Sequence, residues 1–275
     1  MIERKYIETN LYRPKKQKIV SKLNNEDLAN FCEQILLNSD DKSNRQKLLN
    51  YLENIFCENG LHCKVFYMGS TVNGIGFYDS DFDIYIQPLS MATNNDNKQS
   101  VLINPRTYLQ KIKQIICKHS PLPKSYNTLV ILARCPIVKL TPKLIPLRNF
   151  VELDINVTHP LGVFNSKVIN FLISFDVRIL RLCTILKYWA KVNDLINSEG
   201  LKSYTLSFMV IFFLQNCEPQ FIKSLDNLWE YSRNFRFHLN DCHDDYQELY
   251  RKCNQLVQHA DKIPSIFDML HQFFT

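Results

Sequence analysis

The chain has 275 residues, and 45% of them are hydrophobic, which is enough to build one large core or two modest ones. It carries 33 basic and 27 acidic residues and a formal charge of +6, which is compatible with a phosphate-rich partner without identifying one. No stretch of the sequence is long and apolar enough to cross a bilayer, which excludes a membrane-spanning class.

The N-terminus and the cysteines indicate the compartment. The first residues lack the apolar core of a secretion signal, and Glu3 and Glu8 are unlike the acid-poor presequences of mitochondria. Nine cysteines are scattered without a Cys-x-x-Cys pair, a usage typical of free thiols in a reducing compartment. The sequence predicts a cytoplasmic protein, with the nucleus and the mitochondrion left open as alternatives.

The chain begins with a basic stretch and two supporting helices. Residues 1–19 predict a solvated arm, with a nuclear signal or an RNA-contacting segment as the alternative. Asn25 precedes apolar residues at helical spacing and is predicted to cap the first helix. A second helix is predicted over residues 47–58, before Gly60.

Alternating or β-rich apolar runs then indicate strands. They cover residues 64–68, 83–87, 128–140 and 150–157. The third run predicts a strand pair and is interrupted at Pro136, which suits an edge strand or a bulge. A helix is predicted over residues 105–118, after an exposed polar loop.

After Pro160 the strand signal disappears, and only helices are predicted. They cover residues 177–193, 203–215, 221–231, 244–259 and 265–273. The pattern indicates a β-containing half followed by an α-helical half, without an internal repeat. Several residues of the second half could be considered as zinc ligands: His238, Cys242, His243, Cys253 and His259. Their spacing matches no zinc-ligand pattern, so no zinc site is predicted.

Residues that suit phosphate binding lie after the first strand. Gly69 and Ser70 fall where a strand turns into a helix, so free backbone N–H groups and a hydroxyl are available to phosphates. Gly74 and Gly76 permit a tight connection with positive φ. The segment therefore predicts contact with a nucleotide.

Three carboxylates suit metal binding. Asp81 and Asp83 are two positions apart, so a strand places both on one face. A solvated acidic turn is the alternative, but the apolar continuation of the strand puts Asp83 beside a buried surface, where an unpaired charge is costly. Asp154 lies in another packed strand, on the same face as Glu152 and Asn156. Carboxylates on neighbouring strands are typical ligands of two Mg²⁺ or Mn²⁺ ions.

The order of these residues resembles a known signature. Gly69-Ser70, followed by Asp81-x-Asp83 and a later strand aspartate, is similar to the motif of polymerase-β-type nucleotidyltransferases. Further motifs resemble the central domain of cytoplasmic-type poly(A) polymerases and terminal uridylyltransferases. These motifs lie at residues 162–166, 178–182, 186–191 and 200–209, and residues 134–139 resemble the edge strand of the family. The resemblance covers residues 25–275.

The resemblance implies an α+β fold in two parts. Residues 46–160 would form a polymerase-β-like nucleotidyltransferase catalytic domain, which is a mixed β-sheet with flanking helices. Residues 161–275 would form the α-helical central domain of the poly(A) polymerase type, with residues 20–45 packing on it. Residues 1–19 would be a basic, flexible arm.

The resemblance also implies a role for each matching position. It implies that three residues are catalytic and bind the metal ions, namely Asp81, Asp83 and Asp154. It implies that Asn165 contacts the ribose, that Tyr204 stacks on the base, and that the triphosphate lies against Gly69, Ser70, Lys187, Lys191 and Ser203. From the residues alone, the two lysines suit either one anion or a solvated basic face, and the tyrosine suits either core packing or stacking. Trp189 is predicted to lie in the core.

The implied function is template-independent RNA 3′-terminal nucleotidyl transfer, with AMP added from ATP as the first choice. A terminal uridylyltransferase that uses UTP is the alternative. Alternatives of other classes are a catalytically silent scaffold that binds RNA or protein, and a transferase with a small-molecule or protein acceptor. The implied partners are an RNA 3′ end and an RNA-binding protein that recruits the enzyme, because no RNA-recognition module is evident.

Base choice is the part of the function that the sequence leaves open. The family normally continues past the position of Phe274 into a segment whose loop reads the base. The given sequence ends at Thr275, so the expected discriminator between ATP and UTP is absent or displaced.

Overall fold

A five-stranded mixed sheet forms the centre of the first half of the chain. The computed structural model describes residues 24–89, 104–143, 151–158, 160–197, 199–218, 220–222 and 264–275. The strands are β1 (Cys63–Tyr67), β2 (Phe82–Pro88), β3 (Tyr126–Ile131), β4 (Ile137–Pro142) and β5 (Leu153–Asn156). They lie in the order β1-β2-β5-β4-β3, where β2 and β5 are parallel and the other neighbours are antiparallel.

The hairpin of β3 and β4 confirms the predicted strand pair but corrects its position. β4 pairs with β3 on one side and with β5 on the other, so it lies inside the sheet and β3 is at the edge. The prediction of an edge strand at residues 134–139 is therefore wrong. Pro136 lies in the connection before β4, where its missing N–H costs no hydrogen bond of the sheet.

Capping residues determine where the first helices begin. These helices are α1 (Asn25–Ile35), α2 (Ser39–Glu58), α3 (Ser70–Asn73), α4 (Pro105–His119) and α5 (Leu122–Ser125). Asn24 and Asp27 form a reciprocal capping box at α1. The cap is Asn24 rather than the predicted Asn25, which is already helical. α2 begins earlier than predicted because Asn38 and Asp41 form a second capping box.

The first hydrophobic core lies between the sheet and helices α2 and α4. Phe82 and Ile84 of β2 and Ile155 of β5 are completely buried in it. Phe56 of α2 and Ile116 of α4 are also completely buried. The burial of alternate residues leaves the other side chains of β2 and β5 on the opposite face, where the aspartates lie.

The second half of the described chain is helical, as predicted. Its helices are α6 (Leu161–Ile173), α7 (Val177–Val192), α8 (Ser203–Asn216) and α9 (Ile266–Phe274). The sequence analysis assigned no helix to α6, which carries apolar residues on several sides and has no side-chain cap. The helix predicted at 244–259, the residues considered as zinc ligands and the basic arm lie outside the described residues. The helix predicted at 221–231 also lies outside them, apart from its first two residues.

A second hydrophobic core joins these helices to α1. Leu28 of α1 packs against this core, and the ring of Phe31 lies 4.8 Å from that of Tyr188 in α7. Ile75, which follows α3, is 1% exposed and belongs to this core although it precedes β2 in the chain. Trp189 is 40% exposed and contacts Phe274 at its edge, so its predicted place in the core is wrong. No helix in the described ranges has the length and apolarity of a membrane span.

Candidate active site

Gly69 brings the chain directly against Asp83. It lies between β1 and α3 with φ of 66°, a conformation that costs little only for glycine. A Cβ at this position would collide with Oδ2 of Asp83, so any larger residue would push the loop away from the carboxylate. The N–H of Gly69 donates a hydrogen bond of 2.7 Å to Oγ of Ser166 in α6, which ties the loop to the helical half.

The two later glycines play different parts. Gly74 adopts φ of 86° and ends α3, as predicted. Gly76 does not have a positive φ, and this part of the prediction is wrong. This position has no room for a side chain, because a Cβ at Gly76 would lie 2.5 Å from the carbonyl oxygen of Ser70. Both glycines thereby keep the loop folded tightly behind Ser70.

The three aspartates lie on the face of the sheet that the helices α2 and α4 leave free. Asp83 of β2 and Asp154 of β5 are paired residues on adjacent parallel strands. Asp81 lies immediately before β2 and contributes to the electrostatic environment of both. The structure therefore pairs Asp83 with Asp154 and puts Asp81 within electrostatic range of both, while the three side chains do not converge on one point.

Burial and mutual repulsion disfavour the charges of these aspartates. The pKa of Asp83 is raised to about 7, first by burial and then by the charges of Asp154 and Asp81. The pKa of Asp154 is raised by burial and by Asp81, and the charge of Lys139 opposes that shift. Carboxylates in such a group favour a cation, because a positive charge removes both the repulsion and the cost of burial.

Lys139 supplies one positive charge to this face. Lys139 of β4 is the register partner of Asp154, and its Nζ forms an ion pair with Glu152. The same Nζ lies 3.8 Å from Oδ1 of Asp154, which is too long for a hydrogen bond. That buried Oδ1 has no hydrogen-bond partner. Sequence reasoning did not find Lys139, because only the pairing of β4 with β5 brings it to the site.

The carboxylates fit divalent cations, although they do not form a finished cage. In the described part of the chain, no three His, Cys, Asp or Glu side chains are close enough together to hold a metal ion. The buried oxygen of Asp154 without a hydrogen bond, and the approach of Gly69 to Asp83, are nevertheless features of an open oxygen-ligand site. Asp81, Asp83 and Asp154 are the residues that could hold Mg²⁺ or Mn²⁺.

Lys187 and Lys191 of α7 lie beside the loop that follows Gly69. Lys187 is 6% exposed and donates a hydrogen bond of 2.8 Å to the carbonyl oxygen of Ile75. Burial and the charge of Lys191 lower its pKa to about 8. Nζ of Lys191 pairs with Asp79 at 2.7 Å, and both ammonium groups face the ring of Phe77. The structure thus directs both lysines toward the same loop.

The remaining predicted nucleotide contacts lie on the helical half. Asn165 is in α6, one residue before the serine that binds Gly69. Ser203 and Tyr204 form the first turn of α8. Tyr204 is 45% exposed and its ring lies 4.8 Å from that of Phe208, so core packing does not explain it. An exposed ring in this position is available for stacking on a base.

Comparison with known proteins identifies the family. Residues 25–174 match the model of the central palm domain of mitochondrial-like poly(A) RNA polymerases. The chain belongs to this family of terminal nucleotidyltransferases. The matched region begins with α1, contains the whole sheet and ends after α6, so it includes Gly69, Ser166 and the three aspartates.

Curated relatives include enzymes named for two different nucleotides. Poly(A) RNA polymerase cid11 of Schizosaccharomyces pombe is 27% identical over 220 residues, which cover 77% of this chain and 42% of the relative. Human terminal uridylyltransferase 7 is 29% identical over 189 residues, which cover 68% of this chain and 12% of the relative. The chain therefore spans less than half the length of these relatives.

Solved structures share the fold. The structure of mtPAP with ATPγS has a TM-score of 0.72 at 20% identity, covering 93% of this chain and 55% of the other. The GLD-2–GLD-3 poly(A) polymerase complex has a TM-score of 0.66 at 22% identity, covering 90% of this chain and 74% of the other. These likenesses support the α+β nucleotidyltransferase fold that the sequence predicted.

Proposed function

We propose that this chain is an RNA 3′-terminal nucleotidyltransferase that works without a template. The observation that carries the proposal is the pairing of Asp83 with Asp154 on adjacent strands, with Gly69 pressed against Asp83. That arrangement puts a phosphate-binding turn next to a group of carboxylates, as transfer of a nucleotidyl group requires. The catalytic unit is proposed to be residues 46–160, completed by the helical residues 161–275.

The nucleotide is proposed to lie between the turn at Ser70 and helices α6 to α8. The ammonium groups of Lys187 and Lys191 supply positive charge for the triphosphate. Lys191 must break its ion pair with Asp79 to bind the phosphates. The exposed position of that ion pair permits this. Tyr204 stacks on the base and Asn165 contacts the ribose.

Asp154 is proposed to receive the proton of the RNA 3′-hydroxyl. The deprotonated 3′-oxygen forms a bond to the α-phosphorus, and the bond to the β-phosphate oxygen breaks with release of pyrophosphate. Divalent cations bound by the three aspartates would neutralise charge on the attacking and leaving oxygens. The protein itself positions the reactants and excludes competing geometries.

ATP is the proposed substrate, and UTP is the second candidate. The family whose model matches is named for poly(A) synthesis, and so are the S. pombe relative and a Danio rerio relative that is 27% identical over 233 residues. The second candidate is supported by the human and mouse terminal uridylyltransferases among the relatives. An RNA 3′ end, a recruiting RNA-binding protein and a cytoplasmic location complete the proposal.

A primer-extension experiment tests this function. Wild-type chain and the Asp81→Ala/Asp83→Ala variant are incubated with a 5′-labelled RNA, Mg²⁺ or Mn²⁺, and each NTP separately. We expect extension by the wild type alone, with ATP used faster than UTP. Faster extension with UTP would select the uridylyltransferase.

Two controls separate catalysis from binding. An RNA with a 3′-deoxy end must not be extended, because it lacks the attacking hydroxyl. If neither protein extends any RNA with any NTP while both bind it equally, the silent scaffold is the better description. The variant also has to retain the unfolding temperature of the wild type in EDTA, so that loss of activity reports loss of the carboxylates.

A further inference from the structure

A buried arginine outside the signature contacts both parts of the candidate site from behind. Arg45 lies in α2 and is 6% exposed. Its Nη1 donates hydrogen bonds to Oγ1 of Thr71 at 2.5 Å and to the carbonyl oxygen of Asp81 at 3.2 Å. Its Nη2 donates to the carbonyl oxygen of Ser80 at 2.5 Å. One guanidinium therefore joins the turn after Gly69 to the segment that leads into β2.

These three acceptors are neutral, which is unusual for a buried cation. The largest opposing charge that acts on the guanidinium is that of Asp41, four residues earlier in α2. The guanidinium lies over the ring of Phe82 at 5.2 Å, and two of its hydrogen bonds go to the backbone carbonyls of Asp81, which carries a site carboxylate, and of the preceding Ser80. Its positive charge also acts on Asp83 and Asp81 through space.

We infer that Arg45 is a positioning residue, which fixes the spacing between the phosphate-binding turn at Thr71 and Asp81, the aspartate that leads into β2. The inference rests on the proposed function, which assigns metal binding to the aspartates and phosphate binding to the turn after Gly69. The planar fork of arginine binds two separate segments at once, whereas the single ammonium of a lysine cannot satisfy all three acceptors in the same geometry. Arg45 acts through the residues that it holds, namely the hydroxyl of Thr71 and the carbonyls of Ser80 and Asp81.

The first test is the variant Arg45→Lys, which keeps the charge and most of the volume. Binding of Mn²⁺ is measured without RNA by the decrease in the electron paramagnetic resonance signal of the free ion. We expect the Kd for Mn²⁺ to rise at least fivefold and kcat to fall at least tenfold. Arg178→Lys is the matched control, since its guanidinium binds Asp176 within the turn before α7, and it should leave both values unchanged.

The second test is the variant Thr71→Val, which removes only the hydroxyl that joins α3 to Arg45. Since the bonds to Ser80 and Asp81 remain, we expect the affinity for a fluorescent ATP analogue to fall about fivefold while the Kd for Mn²⁺ stays constant. A loss of both affinities, or of neither, contradicts the assignment of Arg45 to two separate segments.

A third test uses chemical rescue of Arg45→Ala. A cavity borders Arg45 and is lined in part by Asp41, Asn44 and Phe82, so a guanidinium ion has a path to the vacated position. Guanidinium at a concentration below its unfolding range should restore part of the Mn²⁺ affinity, and urea at the same concentration should not.

The possible failures are distinguishable. Wild-type Mn²⁺ affinity and kcat in a folded Arg45→Lys overturn the inference, and so does a loss that follows the unfolded fraction alone. If Arg45→Ala does not fold, Arg45→Lys and Thr71→Val still decide the question. Because metal and nucleotide binding are measured without RNA, these tests remain decisive even if the wild-type chain extends no acceptor.

Discussion

At Asp83, burial and two neighbouring carboxylates act in the same direction and raise the pKa to about 7. In the unfolded chain the same group ionises near its ordinary value of 3.8. The folded state therefore holds the proton more tightly, and this residue stabilises the fold at low pH and loses that contribution as the pH rises toward 7. Stability is lost in the pH range where Asp83 becomes charged, which is the form that would hold the proposed cation.

Asp83→Asn should therefore stabilise the metal-free protein at alkaline pH. Each pKa unit corresponds to about 1.4 kcal/mol, so we expect a gain of about 2 kcal/mol or more at pH 8 in EDTA, and a smaller gain at pH 5. Thermal unfolding followed by circular dichroism at the two pH values measures both gains in stability. Asp40→Asn, at an exposed position in the first turn of α2, serves as the control with little change. Equal gains at the two pH values would contradict the assigned pKa.

The lowered pKa of Lys187 predicts a pH dependence of nucleotide use. Burial and Lys191 hold that pKa at about 8, so the ammonium loses its proton as the pH rises through 8 and its attraction for phosphate disappears. We expect kcat/KM for the NTP to fall between pH 7.5 and 9 in the wild type.

Two lysine variants identify the group whose deprotonation causes the fall in kcat/KM. Lys187→Met should have a lower kcat/KM at neutral pH and no further fall near pH 8. Lys191→Met should also have a lower kcat/KM and should keep the fall but shift it to higher pH, because the charge that lowers the pKa of Lys187 is removed. If both variants keep it, another group is responsible for the pH dependence.

The sequence predicted the site residues that lie close together in the chain and missed those that only the fold brings there. Gly69, Asp81 and Asp83 are close together in the chain, and the period of a strand is enough to place the two carboxylates on one face. Lys139 and Arg45 reach the site only through strand pairing and helix packing. No spacing within the sequence shows those contacts, which is why both were missed.

At the scale of elements, the site depends on the contact between the Gly69 turn and α6. Ser166 is 5% exposed, accepts the N–H of Gly69 and donates a hydrogen bond of 2.6 Å to the carbonyl oxygen of Gly162. Gly162 itself lies close to Met68, whose Sδ would be 2.7 Å from an added Cβ. The small residues of α6 therefore let it approach the end of β1 closely.

Ser166→Ala should loosen this contact and leave the part-buried N–H of Gly69 without its acceptor. Such a loss costs about 1–3 kcal/mol, and we expect this decrease in the free energy of unfolding in urea together with weaker nucleotide binding. Ser174→Ala is the matched control, because Ser174 makes the same type of bond to its own helix, with Asn170, at an exposed position. Equal effects of the two substitutions would show that the bond to Gly69 contributes nothing.

Helices and strands with one apolar face were predicted correctly, whereas a helix that is buried on several sides was not. The alternation in β2 and the helical spacing in α4 are visible in the sequence, and both elements were predicted nearly at their observed bounds. α6 has buried residues on several sides, so its sequence shows little periodicity. The neighbour order of strands depends on long-range pairing, and for this reason the edge position was assigned to the wrong strand.

At the scale of the whole molecule, the two hydrophobic cores are connected through the site. Ile75 belongs to the helical core, although residues on both sides of it in the chain contact Arg45 of the sheet half. The ion pair of Asp79 with Lys191 and the bond of Lys187 to Ile75 also cross between the halves. We therefore expect the halves to unfold together.

Ile155→Ala tests this cooperativity. Ile155 is completely buried in the core under the sheet, and its truncation should cost about 2–5 kcal/mol. Trp189 lies in α7 of the helical half, and Trp229 is replaced by Phe in both proteins so that tryptophan fluorescence reports that half. We expect fluorescence and far-ultraviolet circular dichroism to show the same lowered Tm. A fluorescence transition that stays at the wild-type temperature would show that the halves unfold separately.

The bond between Gly69 and Ser166 also limits how the chain can be divided. A fragment that stops at residue 160 would contain all three aspartates but would expose Ile75 to water and deprive the Gly69 turn of its acceptor. We therefore expect that a nucleotide-binding piece must continue through α6 into α7, where Lys187 donates its hydrogen bond to Ile75. Grafting the aspartate-bearing strands alone onto another scaffold would transfer the ligands without the geometry that makes them useful.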